Sequence, residues 1–385
     1  MPSPRDPFSR LLPELVKILL RLPPRVLIAL LAIALIGVVV AFFLCNRPAT
    51  QQQAGPPGTY LFCSWNVENF FDDNDDPKIG DKSEDWFGQN PEMFRLKVQH
   101  LAEALLMMND GRGPDIMALY EVESERSMNA LKDALNERLV ADGKAESKYE
   151  TVLFLGDHFG RHFGPGILTR LPVQKDRTHK YGEPKNGRNL EGHLFVNGHE
   201  LTVLAAHWTS RVERRGKGGS GEDHANAARR MSYAKDQYGR FRAILTANPD
   251  ADVLLCGDFN DEFSDASMQE GLHAAATDGE MRSADGEVRP LALFAHLSAN
   301  SEAKGTIYYR RTWSTFDHIC VSRGLLDDRG WTCDPNTAAI FAPSKLRHGS
   351  SGEPFRFGDA KAADRGYSDH FPVAVRLAVE GNNGR

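Results

Sequence analysis

From Thr59 onward, short apolar runs alternate with longer stretches whose apolar residues recur every three or four positions. The short runs predict strands and the spaced ones predict helices. Strand-like runs are TYLFCSWN (59–66), DIMALY (115–120), TVLFLG (151–156), GPGILTRLPV (164–173), EGHLFV (191–196), ELTVLAA (200–206), DVLLC (252–256), STFDHICVS (314–322) and FPVAVRLAV (371–379). Asn90 and Pro91 read as the cap and first turn of a helix whose Phe94, Val98, Leu101, Leu105 and Met108 share a face, and Asp110-Gly111 stop it. Further helices are expected over about 127–140 and 222–246. Asn197-Gly198 between two strand runs is a hairpin signal. Strands interleaved with helices, plus a hairpin, predict an α/β (α+β) domain with mixed sheets over 59–385. No internal period suggests a solenoid.

The N-terminus follows another pattern. VLIALLAIALIGVVVAFFLC (26–45) carries no charge and is long enough to cross a bilayer core of about 30 Å as a helix. Arg5, Arg10, Lys17, Arg21 and Arg25 precede it, so residues 1–25 are expected to stay cytoplasmic and the large domain to be exported. The rival is a cleaved signal peptide, but the run exceeds a usual signal core and no small-residue cleavage site follows closely. Residues 8–22 are apolar and basic enough to lie along a membrane surface, and 46–58 form a Gln-, Pro- and Gly-rich linker. The expected location is the cell membrane, with a single span and an extracytoplasmic domain.

At 385 residues and 41% hydrophobic, the chain can bury a full core. Its net charge of -6 excludes a generally basic nucleic-acid coat while allowing a local basic face. The five cysteines show no CxxC pair. Cys63 and Cys256 fall in apolar runs and read as core, whereas Cys320 and Cys333 could pair in an oxidising compartment.

Polar residues collect where the strand runs stop: Asn66, Glu121, His207, Asp258 and Asn260, with Asp317 inside a late strand and Asp369-His370 just before the last one. Gly, Asp and Asn are ordinary turn formers after a strand. Repetition of carboxylate, amide and imidazole at strand ends instead points to a converging site. Oxygen donors with two histidines and no thiolate suit Mg²⁺ or Mn²⁺ better than structural zinc. Arg211, Arg214, Arg215, Lys217, Arg229 and Arg230 make a local basic region suited to phosphates. His318 should face away from Asp317 if that segment is extended, and Glu123 and Glu125 would share the face of Glu121 only if its strand continued. Asp72, Asp73, Asp75 and Asp76 read as an exposed acidic loop lacking EF-hand spacing, and His158 and His162 as loop residues or cleft lining.

Taken in order, SWNVENFFD, PDIMALYEVES, AAHWTSR, CGDFND, TFDHICVS and YSDHFPV resemble the endonuclease/exonuclease/phosphatase (DNase-I-like) superfamily over about 59–379, most of all its bacterial exported nuclease and phosphodiesterase branch. The resemblance implies a four-layer sandwich of two mixed β-sheets flanked by helices, with the site at one end. It implies metal positions at Asn66, Glu121 and Asp369, a water-activating Asp258, and a phosphoryl-binding amide at Asn260. It further implies that His370 contacts the scissile phosphate with Asp317 behind it, that His207 protonates the leaving oxygen, and that Arg211 and Arg230 meet phosphates. The expected activity is a divalent-metal-dependent phosphodiesterase, foremost an endonuclease acting on nucleic acid. Alternatives are a phospholipase C-like enzyme for sphingomyelin or related lipids, an inositol-phosphate phosphoesterase, or an inert binding module. No protein partner is expected.

Overall fold

The computed structural model describes residues 58–74, 86–156, 163–182, 188–211, 224–282, 286–297, 303–358 and 364–381. The expected membrane span at 26–45, the cytoplasmic tail, nearly all of the linker, His158, His162, Asp75, Asp76, Arg214, Arg215 and Lys217 lie outside them. Among the described residues no helix is long and apolar enough to cross a membrane.

Two mixed sheets form the centre. The first contains β1 (Thr59–Phe70), β2 (Ile116–Val122), β3 (Thr151–Phe154), β4 (Gly164–Thr169), β12 (Trp331–Ile340) and β15 (Val373–Val379), ordered β12-β15-β1-β2-β4-β3. The second contains β5 (Asn189–Val196), β6 (His199–His207), β7 (Val253–Asp258), β8 (Leu291–Ala292) and β11 (Asp317–Val321), ordered β5-β6-β7-β11-β8. Two short hairpins accompany them: β9 (Ile307–Tyr309) with β10 (Thr312–Ser314), and β13 (Arg347–His348) with β14 (Glu353–Pro354).

Each sheet has one parallel pair, β1 with β2 and β6 with β7, and the remaining neighbours are antiparallel. A parallel pair requires a crossover. Helix α1 (Pro91–Leu106) supplies it in the first sheet and α3 (His224–Ala247) in the second, while α2 (Glu125–Ala141) joins β2 to β3. Ser124 caps α2 by accepting from the Ser127 amide at 3.2 Å. Asn197 at φ 54° and Gly198 at φ 87° make the tight turn of the β5–β6 hairpin, as the Asn-Gly pair predicts.

Strand alternation sorts the side chains into layers. Leu254 and Cys256 on β7 join Phe62, Ile116 and Val375 in the core between the sheets. Val253 and Leu255, one residue out of phase, pack with Tyr233, Tyr238 and Phe241 of α3. Phe94, Val98, Leu101 and Leu105 of α1 and Leu131 and Leu135 of α2 cover the first sheet's other face. The result is the helix, sheet, sheet, helix sandwich.

Three details depart from expectation. β12 has no clear strand signal because Pro335 interrupts it; it is an edge strand whose register shifts between Asp334 and Ala339, where a missing N–H is tolerated. Cys320 and Cys333 are free, buried thiols on different sheets, so the possible disulfide is absent. The strand of Glu121 stops at Val122 and α2 begins at Glu125, so Glu123 and Glu125 do not continue its face.

Candidate active site

Both parallel pairs deliver polar groups at their C-terminal ends. In the first sheet Asn66 lies opposite Tyr120, the residue before Glu121. In the second His207 lies opposite Asp258, and Asp258 in turn opposite Asp317. Residues paired across a sheet project to the same face, so His207, Asp258 and Asp317 stand in a row on the face that meets the first sheet. His370 comes from the segment leading into β15 of the first sheet. Glu121 adopts φ 60°, Glu68 φ 53°, Asn69 φ 50° and Asn260 φ 53°, all in the left-handed region. Such conformations cost about 1–3 kcal/mol each for residues with side chains and cluster at functional sites.

Asn66 ties the two sheets together. Its Nδ2 donates to Asp258 Oδ2 at 2.9 Å and to Glu121 Oε1 at 3.2 Å, while its Oδ1 accepts from the Glu68 amide at 3.0 Å. Glu121 Oε2 accepts from the Asn69 amide at 2.8 Å. Asp258 Oδ1 accepts from the Asn260 amide at 3.0 Å, and Asn260 Nδ2 donates to the Trp208 carbonyl at 3.1 Å. His207 Nε2 stands 3.6 Å from Asp258 Oδ2 and 3.9 Å from Glu121 Oε1, near but outside hydrogen-bond range. His370 Nε2 is 3.8 Å from Asp258 Oδ2, and its Nδ1 is 2.7 Å from Asp317 Oδ2.

The electrostatics separate the two histidines. Burial works against charge on His370, but the charges of Asp317 and Asp258 and the Asp317 hydrogen bond hold it well above the ordinary range. Burial, then the positive groups Arg188 and His370, push His207 well below it. The charged imidazole is therefore His370, and His207 is neutral. Burial is also the main influence on Asp258; with Asp317 and Glu121 adding to it against the pull of His370 and Asn66, the carboxyl rises to about 7. That is the range in which a general base works best near neutral pH.

Asp369 lies beside this cluster. Burial and then the charges of Glu68 and Glu121 raise it to about 7. Glu68, buried and absent from the expected set, accepts from Arg356 Nη2 at 2.7 Å and from the Phe357 amide at 2.7 Å. Lys97 is fully buried, donates to the Tyr367 carbonyl at 2.7 Å, and sits within the electrostatic reach of Glu68, Asp369 and Glu121. Its sequence signal is its position three residues after Phe94 and four before Leu101, on the apolar face of α1. Crowded buried carboxylates, two of them raised to about 7 even with Lys97, Arg356 and His370 nearby, form an oxygen-donor set that fits a hard divalent cation.

Arg211 and Arg230 both turn to Asp261. Arg211 Nη2 donates to Asp261 Oδ1 at 2.6 Å, its Nε donates to the Asn260 carbonyl at 2.7 Å, and it also contacts Asp265. Arg230, buried, has Nε 2.8 Å from the same Asp261 oxygen. In this structure the pair buttresses the loop after Asp258. His318 is buried, stacks on Phe259 and meets the Asp261 carbonyl through Nε2 at 3.0 Å, which is the structural role expected of it. Asp72 accepts from Ser124 and the Asn74 amide, and Asp73 pairs with Arg126, so the described part of the acidic loop supports the start of α2.

The family model for the endonuclease/exonuclease/phosphatase family matches residues 175–379, more than half of the chain. The chain belongs to this family. It is a hydrolase acting on phosphoester bonds. Solved structures similar to it include an endonuclease/exonuclease/phosphatase family protein from Bacteroides thetaiotaomicron, at 15% identity over 85% of this chain and 100% of that one, TM-score 0.48. Beta toxin from Staphylococcus aureus, a variant with bound magnesium ions, is similar at 13% identity over 83% and 99%, TM-score 0.47. The human nocturnin catalytic domain is similar at 14% over 84% and 95%, TM-score 0.46. No curated protein sequence matches significantly.

Proposed function

We propose that this family member is a divalent-metal-dependent phosphodiesterase of the exported bacterial branch, tethered by residues 26–45, with extracytoplasmic nucleic acid as its substrate. The observation that carries the chemistry is the pairing of Asp258, held at about 7, with a charged His370 whose Nε2 lies 3.8 Å away.

Glu121 with Asn66 and Asp369 would hold Mg²⁺ or Mn²⁺, the hard cations that this oxygen-donor set suits. Bound there, the ion supplies charge neutralisation at the phosphoryl oxygens and the departing oxygen. Asp258 orients the attacking water and accepts its proton as the new P–O bond forms and the opposite one breaks. Asn260 holds Asp258 through its backbone amide and keeps one amide hydrogen for a phosphoryl oxygen. His370, fixed by Asp317, presents its charged Nε2–H to the phosphate. His207, which burial and the neighbouring Arg188 and His370 hold below its ordinary range, would then hydrogen-bond the reacting group while His370 carries the charge.

The β9–β10 hairpin favours nucleic acid over a lipid headgroup. Ile307 bridges His370, Tyr309 is 49% exposed, and Arg310 lies over its ring at 5.2 Å. An exposed aromatic with arginine beside the scissile site suits bases and phosphates.

The test offers full-length protein plasmid DNA, RNA, sphingomyelin and inositol phosphates, each with Mg²⁺ and with chelator. Magnesium-dependent nicking of DNA or RNA is expected. Turnover of sphingomyelin alone would replace nucleic acid with a lipid, and no turnover even with Mn²⁺ would overturn the phosphodiesterase reading. Protease accessibility of the domain in intact spheroplasts tests the topology.

A further inference from the structure

On the outer side of the second sheet, away from the strand ends just described, a second cluster involves two histidines and a carboxylate. Glu191 and His193 lie on β5, and His179 joins that strand through an isolated bridge to Glu191. His193 Nε2 is 3.0 Å from Glu191 Oε1, and His179 Nε2 is 3.3 Å from Glu191 Oε2. One nitrogen from each ring and a Glu191 oxygen all lie within 4.8 Å of one another.

Each of these three side chains is oriented from behind. The Nδ1 of His179 is 2.8 Å from the Arg177 carbonyl, and the Nδ1 of His193 is 2.6 Å from Glu200 Oε1 and 3.4 Å from Thr202 Oγ1. Glu191 is gripped by Arg240, with Nε donating at 2.5 Å and Nη2 at 2.6 Å. A carbonyl and a carboxylate can only accept, so both rings carry hydrogen on Nδ1 and turn Nε2 toward Glu191. Histidine ligands of metals have this arrangement, with the other nitrogen donating to a carboxylate or carbonyl.

Charge balance points the same way. Arg240 offsets Glu191, and Arg177 offsets Glu200 through a contact of 2.7 Å. Neither imidazole then has to be charged to neutralise the cluster. Each ring can therefore turn an Nε2 lone pair to a cation held between it and Glu191. Tetrahedral zinc with bonds of about 2.0–2.1 Å separates neighbouring ligand atoms by roughly 3.3 Å; here His193 Nε2 lies 3.0 Å from one Glu191 oxygen and His179 Nε2 3.3 Å from the other, close to that spacing. Two nitrogens and one carboxylate oxygen are a zinc-class donor set, unlike the oxygen-rich strand-end site.

We propose that His179, Glu191 and His193 bind one zinc-class transition-metal ion at a site separate from the catalytic centre. The ion fastens the segment carrying His179 to β5, the edge strand of its sheet. The proposal does not depend on the substrate reading.

The test strips full-length protein with chelator and titrates it with Zn²⁺, and separately with Co²⁺, whose visible ligand-field absorption reports tetrahedral coordination. One Zn²⁺ per chain with a melting-temperature rise is expected, together with the Co²⁺ spectrum. His179→Gln, at a half-exposed ring that can change without disturbing the core, abolishes both signals while circular dichroism stays native. Glu200→Gln weakens zinc about 10–100-fold, and Glu121→Gln leaves stoichiometry and spectrum intact. No saturable zinc binding, binding unaffected by His179→Gln, or binding abolished by Glu121→Gln would each overturn the proposal. The first outcome leaves an ion-pair network only; the last assigns the ion to the catalytic centre.

Discussion

Asp258 and Glu191 are both buried carboxylates on the second sheet, yet their environments drive them in opposite directions. Burial raises both. At Glu191 the two-pronged Arg240 contact and the histidines overcome it and bring the carboxyl down to about 2. At Asp258 the nearest carboxylates reinforce burial, and His370 and Asn66 only partly offset it, leaving it at about 7. One position spends its neighbours on stability. The other is left electrostatically unsatisfied, which is the condition of a group that takes up a proton during a reaction.

The strongest way to break this contrast is Asp258→Asn. Activity should fall roughly 10²-fold or more. A carboxyl raised in the folded state contributes most below its unfolded value and loses that contribution as pH climbs through about 7. Metal-free Asp258→Asn should therefore be more stable than the parent at pH 8, which chemical denaturation in chelator would measure. Equal stability at pH 8 would mean that Asp258 is not strained.

Arg240→Met attacks the other side. Glu191 keeps its burial and loses its main partner, so stability should drop by about 2–3 kcal/mol, a figure reduced for the partial exposure of Arg240. In the parent, the depressed Glu191 contributes stability above its unfolded range that is lost as pH falls toward about 2. Acid unfolding of Arg240→Met should begin at higher pH, and turnover per folded molecule should not change.

A smaller effect sharpens the assignment of the two histidines. Activity should rise with pH as Asp258 loses its proton near 7 and fall again as His370 loses its own. Asp317→Asn removes the main support for the His370 charge, so the falling limb should move to lower pH while the rising limb moves less. A falling limb that stays in place would return the charged role to His207. The smallest effect is expected at Gly198, φ 87° with open space around its Cα hydrogens. Gly198→Ala should cost about 1 kcal/mol from backbone strain alone, with no change in the pH profile.

Much of this was readable before any coordinates. The apolar runs of DVLLC and FPVAVRLAV marked strands, and the three- and four-residue spacing on α1 marked its core face, because burying one face of a helix requires that spacing. Asn66, Glu121, His207, Asp258, Asp317 and His370 could be named because each ends or borders an apolar run. Lys97 and Glu68 carry no such signal, because a charged residue counts as solvent-facing until a buried partner is known. Arg211 and Arg230 read as phosphate contacts from local charge and from resemblance, and the fold turns both to Asp261, 31 residues beyond Arg230 in the chain.

What the sequence determined by itself is local: which segments are strands or helices, which face of each is apolar, and which chemical groups stand at the ends. Those properties follow from spacing along a chain of fixed geometry. Only the tertiary structure decided which acid faces which base. Register set His207, Asp258 and Asp317 side by side, sheet packing brought Asn66 and His370 against them, and burial fixed how much each charge is felt. Coulomb interactions and desolvation depend on distances through space, and the distance that unites Asn66 with Asp258 spans 192 positions of sequence.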